Sequence, residues 1–169
     1  WSTGGALNNA RSQLAGAGVS SSSALAFGGD TGVLAKSVDT ESYNGSSWTE
    51  VNNLNTGRNA MGGAGTQTSA LGFGGDLTYP PGAPTGDTET WNGSNWTEVN
   101  NLNTTRKLLA GAGASNSALA FGGNSPGTSN GTELWNGTNW TSVNNLNAAR
   151  KRIAGAGASN TACLAFGGK

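Results

Sequence analysis

Four arginines, Arg11, Arg58, Arg106 and Arg150, each stand ten residues after a tryptophan, Trp1, Trp48, Trp96 and Trp140. Three glutamates, Glu41, Glu89 and Glu133, recur once per interval between them. One guanidinium per repeat allows two chemistries. Gathered at one mouth, the arginines form a cationic ring for carboxylates or for sialylated or sulfated glycans; turned inward, each makes a bidentate pair with a glutamate. A catalytic carboxylate pair is unique and asymmetric, so glutamates that repeat argue against one. The enzymatic alternative is a hydrolase or lyase, a polysaccharide-acting enzyme, working through Asp76, Asp87 and Tyr79. The chain has no His, which removes His-based triads, imidazole general bases and most zinc or copper sites. Its single Cys, Cys163, allows no internal disulfide and no Cys-cluster metal site. Cys163 stands where Ala24, Ala70 and Ala118 stand elsewhere and reads as a small buried thiol. No catalytic residue, metal or cofactor is expected.

The candidate ligand-binding residues are Tyr79, Arg58, Arg106, Lys107, Arg150, Asn53, Asn101 and Asn145. Tyr79 lies in "DLTYPPGAP", the longest and Pro-stiffened loop, and is the aromatic outside the repeat pattern. Lys107, Lys151 and Arg152 add positive charge in the later repeats only. Asn53, Asn101 and Asn145 sit in Asn clusters that either cap turns or present amides to a sugar or peptide. Asn44, Asn92, Asn95, Asn103, Asn130, Asn136 and Asn139 lie in N-x-S/T sequons. Four of them precede Gly, and Asn-Gly is what a two-residue hairpin turn selects, so the sequons read as turns.

These residues are carried by a repeat. The tryptophans recur at intervals of 47, 48 and 44 residues. After each Arg comes a small-residue strand, "LAGAG", "MGGAG", "LAGAG" and "IAGAG"; then "ALAFGG", "ALGFGG", "ALAFGG" and "CLAFGG"; then "DTESYNG", "DTETWNG" and "GTELWNG" lead to the next Trp. The second strand alternates large and small residues, so neighbouring sheets can nest face to face. Gly throughout the first strand implies close backbone approach, as around a crowded axis. Length varies mainly in the loop between second and third strands, "DTGVLAKSVD", "DLTYPPGAPTGD" and "NSPGTSNG", and variable loops on a constant scaffold are where specificity resides. Nine Lys and Arg balance nine Asp and Glu, which leaves no basic field for nucleic acid. No apolar run reaches the ~18 residues of a membrane span.

The order Arg58, Gly74-Gly75, Glu89, Trp91, Trp96 resembles the kelch repeat, as do Arg106, Gly122-Gly123, Glu133, Trp135, Trp140 and Arg11, Gly28-Gly29, Glu41, Tyr43, Trp48. The wording "WTEVNNLNTTRKLLAGAGASNSALAFGG" also resembles kelch-like repeats of marine phage virion or tail-associated proteins. The resemblance implies an all-β fold, a β-propeller of four-stranded blades, about 47 residues each. The segments are an outer strand over 1–9, then 10–57, 58–105, 106–149, and two strands of a further blade over 150–169. It also implies a segment of a longer propeller, or a homo-oligomer that completes the ring. The expected function is a non-enzymatic recognition module, extracellular or on a virion. It would bind a protein or surface glycan through the face carrying the strand 2–3 and strand 4–1 loops. The alternative is an architectural component of a phage particle or surface assembly.

Overall fold

The structure is a computed structural model and describes residues 4–32, 36–78 and 82–169. The described residues contain strands and no helix, hence none long and apolar enough to cross a membrane. Strands β1 (Ala15–Ser20), β2 (Ser23–Phe27), β3 (Thr40–Tyr43) and β4 (Trp48–Val51) form a four-stranded antiparallel sheet in sequence order. Strands β5 (Gly62–Gly65), β6 (Ala70–Phe73), β7 (Thr88–Trp91) and β8 (Trp96–Val99) form the second. The third contains β9 (Ala110–Ala114), β10 (Ser117–Phe121), β13 (Thr132–Trp135) and β14 (Trp140–Val143). A short hairpin, β11 (Asn124–Ser125) and β12 (Gly127–Thr128), lies in the third variable loop. Last comes a two-stranded sheet, β15 (Ile153–Ser159) and β16 (Ala162–Gly167). No strand forms over the described part of 1–9, where an outer strand was expected.

The alternation in the second strand explains how the sheets stack. Leu25 and Phe27 share a buried cluster with Ala70, Trp91 and Trp96 of the next sheet. Leu71 and Phe73 do the same with Ala118, Ala120, Trp135 and Trp140. The rings of Phe27 and Trp96 lie 4.8 Å apart and those of Phe73 and Trp140 4.9 Å apart. Phe27 and Phe73 are fully buried, each contributing about 1.5–3 kcal/mol relative to exposure. The first strands meet side by side, β1 on β5, β5 on β9, and β9 on β15. Gly is required where they touch: a Cβ on Gly63 would come 2.7 Å from the Gly16 carbonyl oxygen, and one on Gly111 would come 2.7 Å from that of Gly63.

A backbone staircase ties the sheets together beside these strands. Ala60 N–H donates to Gln13 O (2.8 Å), Leu108 N–H to Ala60 O (2.8 Å), and Arg152 N–H to Leu108 O (2.9 Å). Gln13, Ala60, Leu108 and Arg152 all adopt left-handed φ, between 53° and 57°. The conformation costs a non-Gly residue about 1–2 kcal/mol. At Ala60 and Leu108 it places the N–H toward one neighbouring repeat and the carbonyl toward the other.

The Asn-Gly hairpins differ from the expected turn. Tyr43 pairs with Trp48, and the left-handed residue is Gly45 (φ 97°) while Asn44 flanks it. Asn44 Oδ1 accepts the N–H groups of Ser46 (2.9 Å) and Ser47 (3.0 Å). Asn92 and Asn136 repeat this arrangement. The asparagine is therefore a side-chain cap on the turn rather than one of two turned residues.

Candidate functional site

Antiparallel order puts the strand 2–3 and strand 4–1 loops at the same end of every sheet, and the arginines enter there. In the second repeat Arg58 Nη2 donates to Glu89 Oε1 at 2.9 Å. Glu89 Oε2 accepts both the N–H and the side-chain amide of Asn55, each at 2.8 Å, and that amide also reaches Trp96 O. The third repeat matches it: Arg106 to Glu133 Oε1 at 2.9 Å, and Asn103 to Glu133 Oε2 at 2.8 and 2.9 Å. In the first, Arg11 and Asn8 enclose Glu41 in the same way. The ion pair is single-pointed where a bidentate fork was expected, because asparagine takes the second carboxylate oxygen. Arg58, Glu89 and Glu41 are 0% exposed and Arg106 1%. Burial pulls the Arg58 guanidinium below its ordinary value, and the charges of Glu89, Asp87 and Glu98 oppose that shift. Burial pulls Arg106 down likewise, opposed by Glu133. The geometry is that of the inward-turned arginine.

The Asn clusters divide their labour. Asn52 and Asn100 donate across to the hairpin of the following repeat, to Ser94 O and Asn95 Oδ1, and to Thr138 O and Asn139 Oδ1. Asn53 and Asn101 accept the N–H of Thr40 (3.0 Å) and Thr88 (3.1 Å), and Asn101 also donates to Asp87. Asn145 makes no such bond among the described residues and is exposed. Lys107, expected as a free cation, pairs with Asp76 at 2.6 Å. Asp76 also accepts the Ala83 N–H, and Asp30 holds Lys36 (2.8 Å) and the Gly32 N–H, so both acids anchor variable loops. Asp87 stands 3.9 Å from Arg58, so Asp76 and Asp87 each face a cation. Tyr79 lies outside the described residues. Arg150 is exposed, with Nη1 donating to Gly167 O at 2.8 Å. Cys163 is half-buried, its thiol pushed up by burial and donating to Ser159 O.

Two of the expected residues, Arg106 and Asn145, meet in one cavity. It measures about 290 Å³ and is lined by Thr104, Arg106, Ser129, Gly131, Thr132, Glu133, Ser142 and Asn145. Its origin is visible in the repeat. The first repeat carries Asp39 and Glu50, and the second Asp87 and Glu98, where the third carries Gly131 and Ser142. Asn9 bridges Asp39 and Glu50 at 3.1 Å each. Removing both carboxylates opens space beside Arg106 and leaves the Asn145 amide free. Thr132 Oγ1 is buried without a partner, and Arg106 Nε is too, as is the same atom of Arg11 and Arg58; an unpaired buried polar group costs about 1–3 kcal/mol until something satisfies it. The cavity is polar, and its one ion pair is internally neutral. Gly131 and Ser142 were not singled out from sequence, although both break an otherwise kept pattern. No protein-family model and no curated protein matches the chain.

Proposed function

We propose that the repeated sheets are blades of a kelch-like β-propeller and that the chain is a recognition module rather than an enzyme. On this reading it takes a polyhydroxylated ligand of the glycan class at the third repeat. The side-by-side glycine-rich first strands and the backbone staircase support the propeller reading. The observation that carries the function is the third-repeat cavity. There the Asn145 amide and the Thr132 and Ser142 hydroxyls stand ready to exchange hydrogen bonds with sugar hydroxyls, and Arg106 Nε can donate one. Neutrality favours such a ligand over an ion. Asn145 is the position where Asn53 and Asn101 are already engaged, so in this repeat alone the amide can turn outward.

The test is binding on a glycan array with Asn145→Ala and the double variant Gly131→Asp/Ser142→Glu. The double variant restores the carboxylates of the second repeat and should fold, since two repeats already contain them. Saturable binding to a glycan, lost in both variants, supports the reading. Protein that binds no glycan, or that binds equally well in the variants, overturns it.

A further inference from the structure

We infer that the three Asn-Gly hairpin tips are self-modifying sites, at which Asn44, Asn92 and Asn136 convert to aspartate and isoaspartate through a cyclic imide. The chain contains four Asn-Gly pairs, starting at Asn44, Asn92, Asn130 and Asn136, and the fold sorts them. In the first hairpin Asn44 Oδ1 accepts the N–H groups of Ser46 (2.9 Å) and Ser47 (3.0 Å). Asn92 Oδ1 accepts those of Ser94 (2.9 Å) and Asn95 (2.8 Å), and Asn136 Oδ1 those of Thr138 and Asn139 (2.9 Å each). These bonds fold each side chain over the glycine peptide that follows it. At all three tips the asparagine and glycine are exposed, and neither the glycine N–H nor the asparagine amide nitrogen has a hydrogen-bond partner among the described residues. Asn130 meets its glycine in another setting. It is half-buried, its amide nitrogen donates to Leu146 O (3.3 Å), and the Gly131 N–H is tied to Ser129 Oγ (3.0 Å). Among the described residues no N–H donates to its Oδ1.

The reaction needs a nucleophile, a stabilised oxyanion and a leaving group. Hydroxide removes the glycine amide proton, the nitrogen attacks the asparagine Cγ, and negative charge develops on Oδ1. Two backbone N–H groups already point at that oxygen, and donors fixed where charge develops lower the barrier. The intermediate collapses as the Cγ–Nδ2 bond breaks; the leaving nitrogen takes a proton from water and departs as ammonia. Water then opens the five-membered imide at either carbonyl, giving aspartate or isoaspartate. At Asn130 the nucleophile and the leaving nitrogen are both held by other groups, and the oxyanion has no donor. Each conversion adds one negative charge to a chain whose charges balance. Two of the tips are also joints: Asn52 grips Ser94 O and Asn95 Oδ1, and Asn100 grips Thr138 O and Asn139 Oδ1. Isoaspartate lengthens the turn's backbone by one methylene, so modification there loosens the contact between successive repeats.

The test is incubation of the folded protein in mildly alkaline buffer, with peptide mapping by mass spectrometry at successive times. Asn44, Asn92 and Asn136 should each convert at least tenfold faster than Asn130, with isoaspartate among the products. In urea the four Asn-Gly pairs should convert at similar rates, because the placed donors are lost. Ser46→Pro deletes one of the two donors to Asn44 and should slow that site, while Asn92 and Asn136 in the same molecule keep their rates. The comparison of the four sites in the parent protein stands even where Ser46→Pro fails to fold. Folded protein in which Asn130 keeps pace with the tips overturns the inference, as does a ranking that survives in urea. Tips that convert more slowly in the folded protein than in urea also overturn it, since the same bonds would then protect the asparagine.

Discussion

The second and third repeats contain the same arginine cage in different surroundings. Arg58 and Arg106 are equally buried, each bonded to one glutamate oxygen while an asparagine takes the other. Around Arg58 stand Asp87 and Glu98 as well as Glu89; around Arg106 stands Glu133 alone. The cage is what the fold needs, because it joins the loop entering a sheet to that sheet's third and fourth strands. The rim is where one repeat departs from the others, and departure there opens a polar cavity without disturbing the cage.

The largest expected effect comes from breaking the cage in both repeats. Removing one partner of a buried ion pair costs about 3–5 kcal/mol because the remaining charge is stranded. Glu133→Ala should fall at the upper end, since Arg106 has no second carboxylate. Glu89→Ala should cost less, because Asp87 stands 3.9 Å from Arg58 and can replace part of the lost partner. Urea denaturation of the two variants measures the difference; equal losses would show that the rim carboxylates do nothing for the arginine.

The inter-sheet threonines give the next effect. Thr88→Val leaves the buried Trp140 indole N–H without an acceptor, at about 1–3 kcal/mol. Thr132→Val removes a hydroxyl that has no partner and should fall within about 0.5 kcal/mol of the parent. Denaturation midpoints compare them, and a Thr132→Val loss as large as that of Thr88→Val would mean that Thr132 is already engaged. A third comparison exchanges the rims. Asp87→Gly/Glu98→Ser should give the second repeat a cavity of its own and raise the glycan stoichiometry from one toward two. The new site should be the weaker, because Thr88 Oγ1 there already accepts Trp140. Calorimetric titration reads this; unchanged stoichiometry would show that carboxylate loss alone does not make the site.

Much of this was legible in the sequence because it repeats. The Trp-to-Arg spacing, the Leu/Phe alternation and the Gly-rich first strand predicted four-stranded units that stack large face on small face, and the sheets do so. The Arg–Glu partnership was legible as one of two chemistries, since a charge repeated in every unit has a structural use available in every unit. Its single-pointed form was not, because that depends on Asn8, Asn55 and Asn103 arriving from the preceding loop. The left-handed staircase left no trace: its four positions hold Gln13, Ala60, Leu108 and Arg152, chemically unrelated residues selected for backbone conformation rather than side chain. The cavity was half legible. Arg106 and Asn145 were chosen for what they carry, whereas Gly131 and Ser142 matter for what they lack. An absence shows only when the repeats are aligned against the fold.

The smallest effect tests the loop anchors of the first repeat against those of the second. The Asp30 carboxyl is held below its ordinary value of 3.8, first by the hydrogen bond from Lys36 and then by the Gly32 N–H. A carboxyl whose folded value is depressed contributes stability that is present above the unfolded value and lost as pH falls through the folded one. The first-repeat loop should therefore loosen only below about pH 4. Amide exchange at Gly32, followed as the pH is lowered, should accelerate once the carboxyl is protonated. In Asp30→Asn the same amide should exchange with no such added step, while Ala83, anchored to Asp76 in the second repeat, is unchanged by the substitution. Acceleration at Gly32 that persists in Asp30→Asn would transfer the anchoring role to another group in the loop.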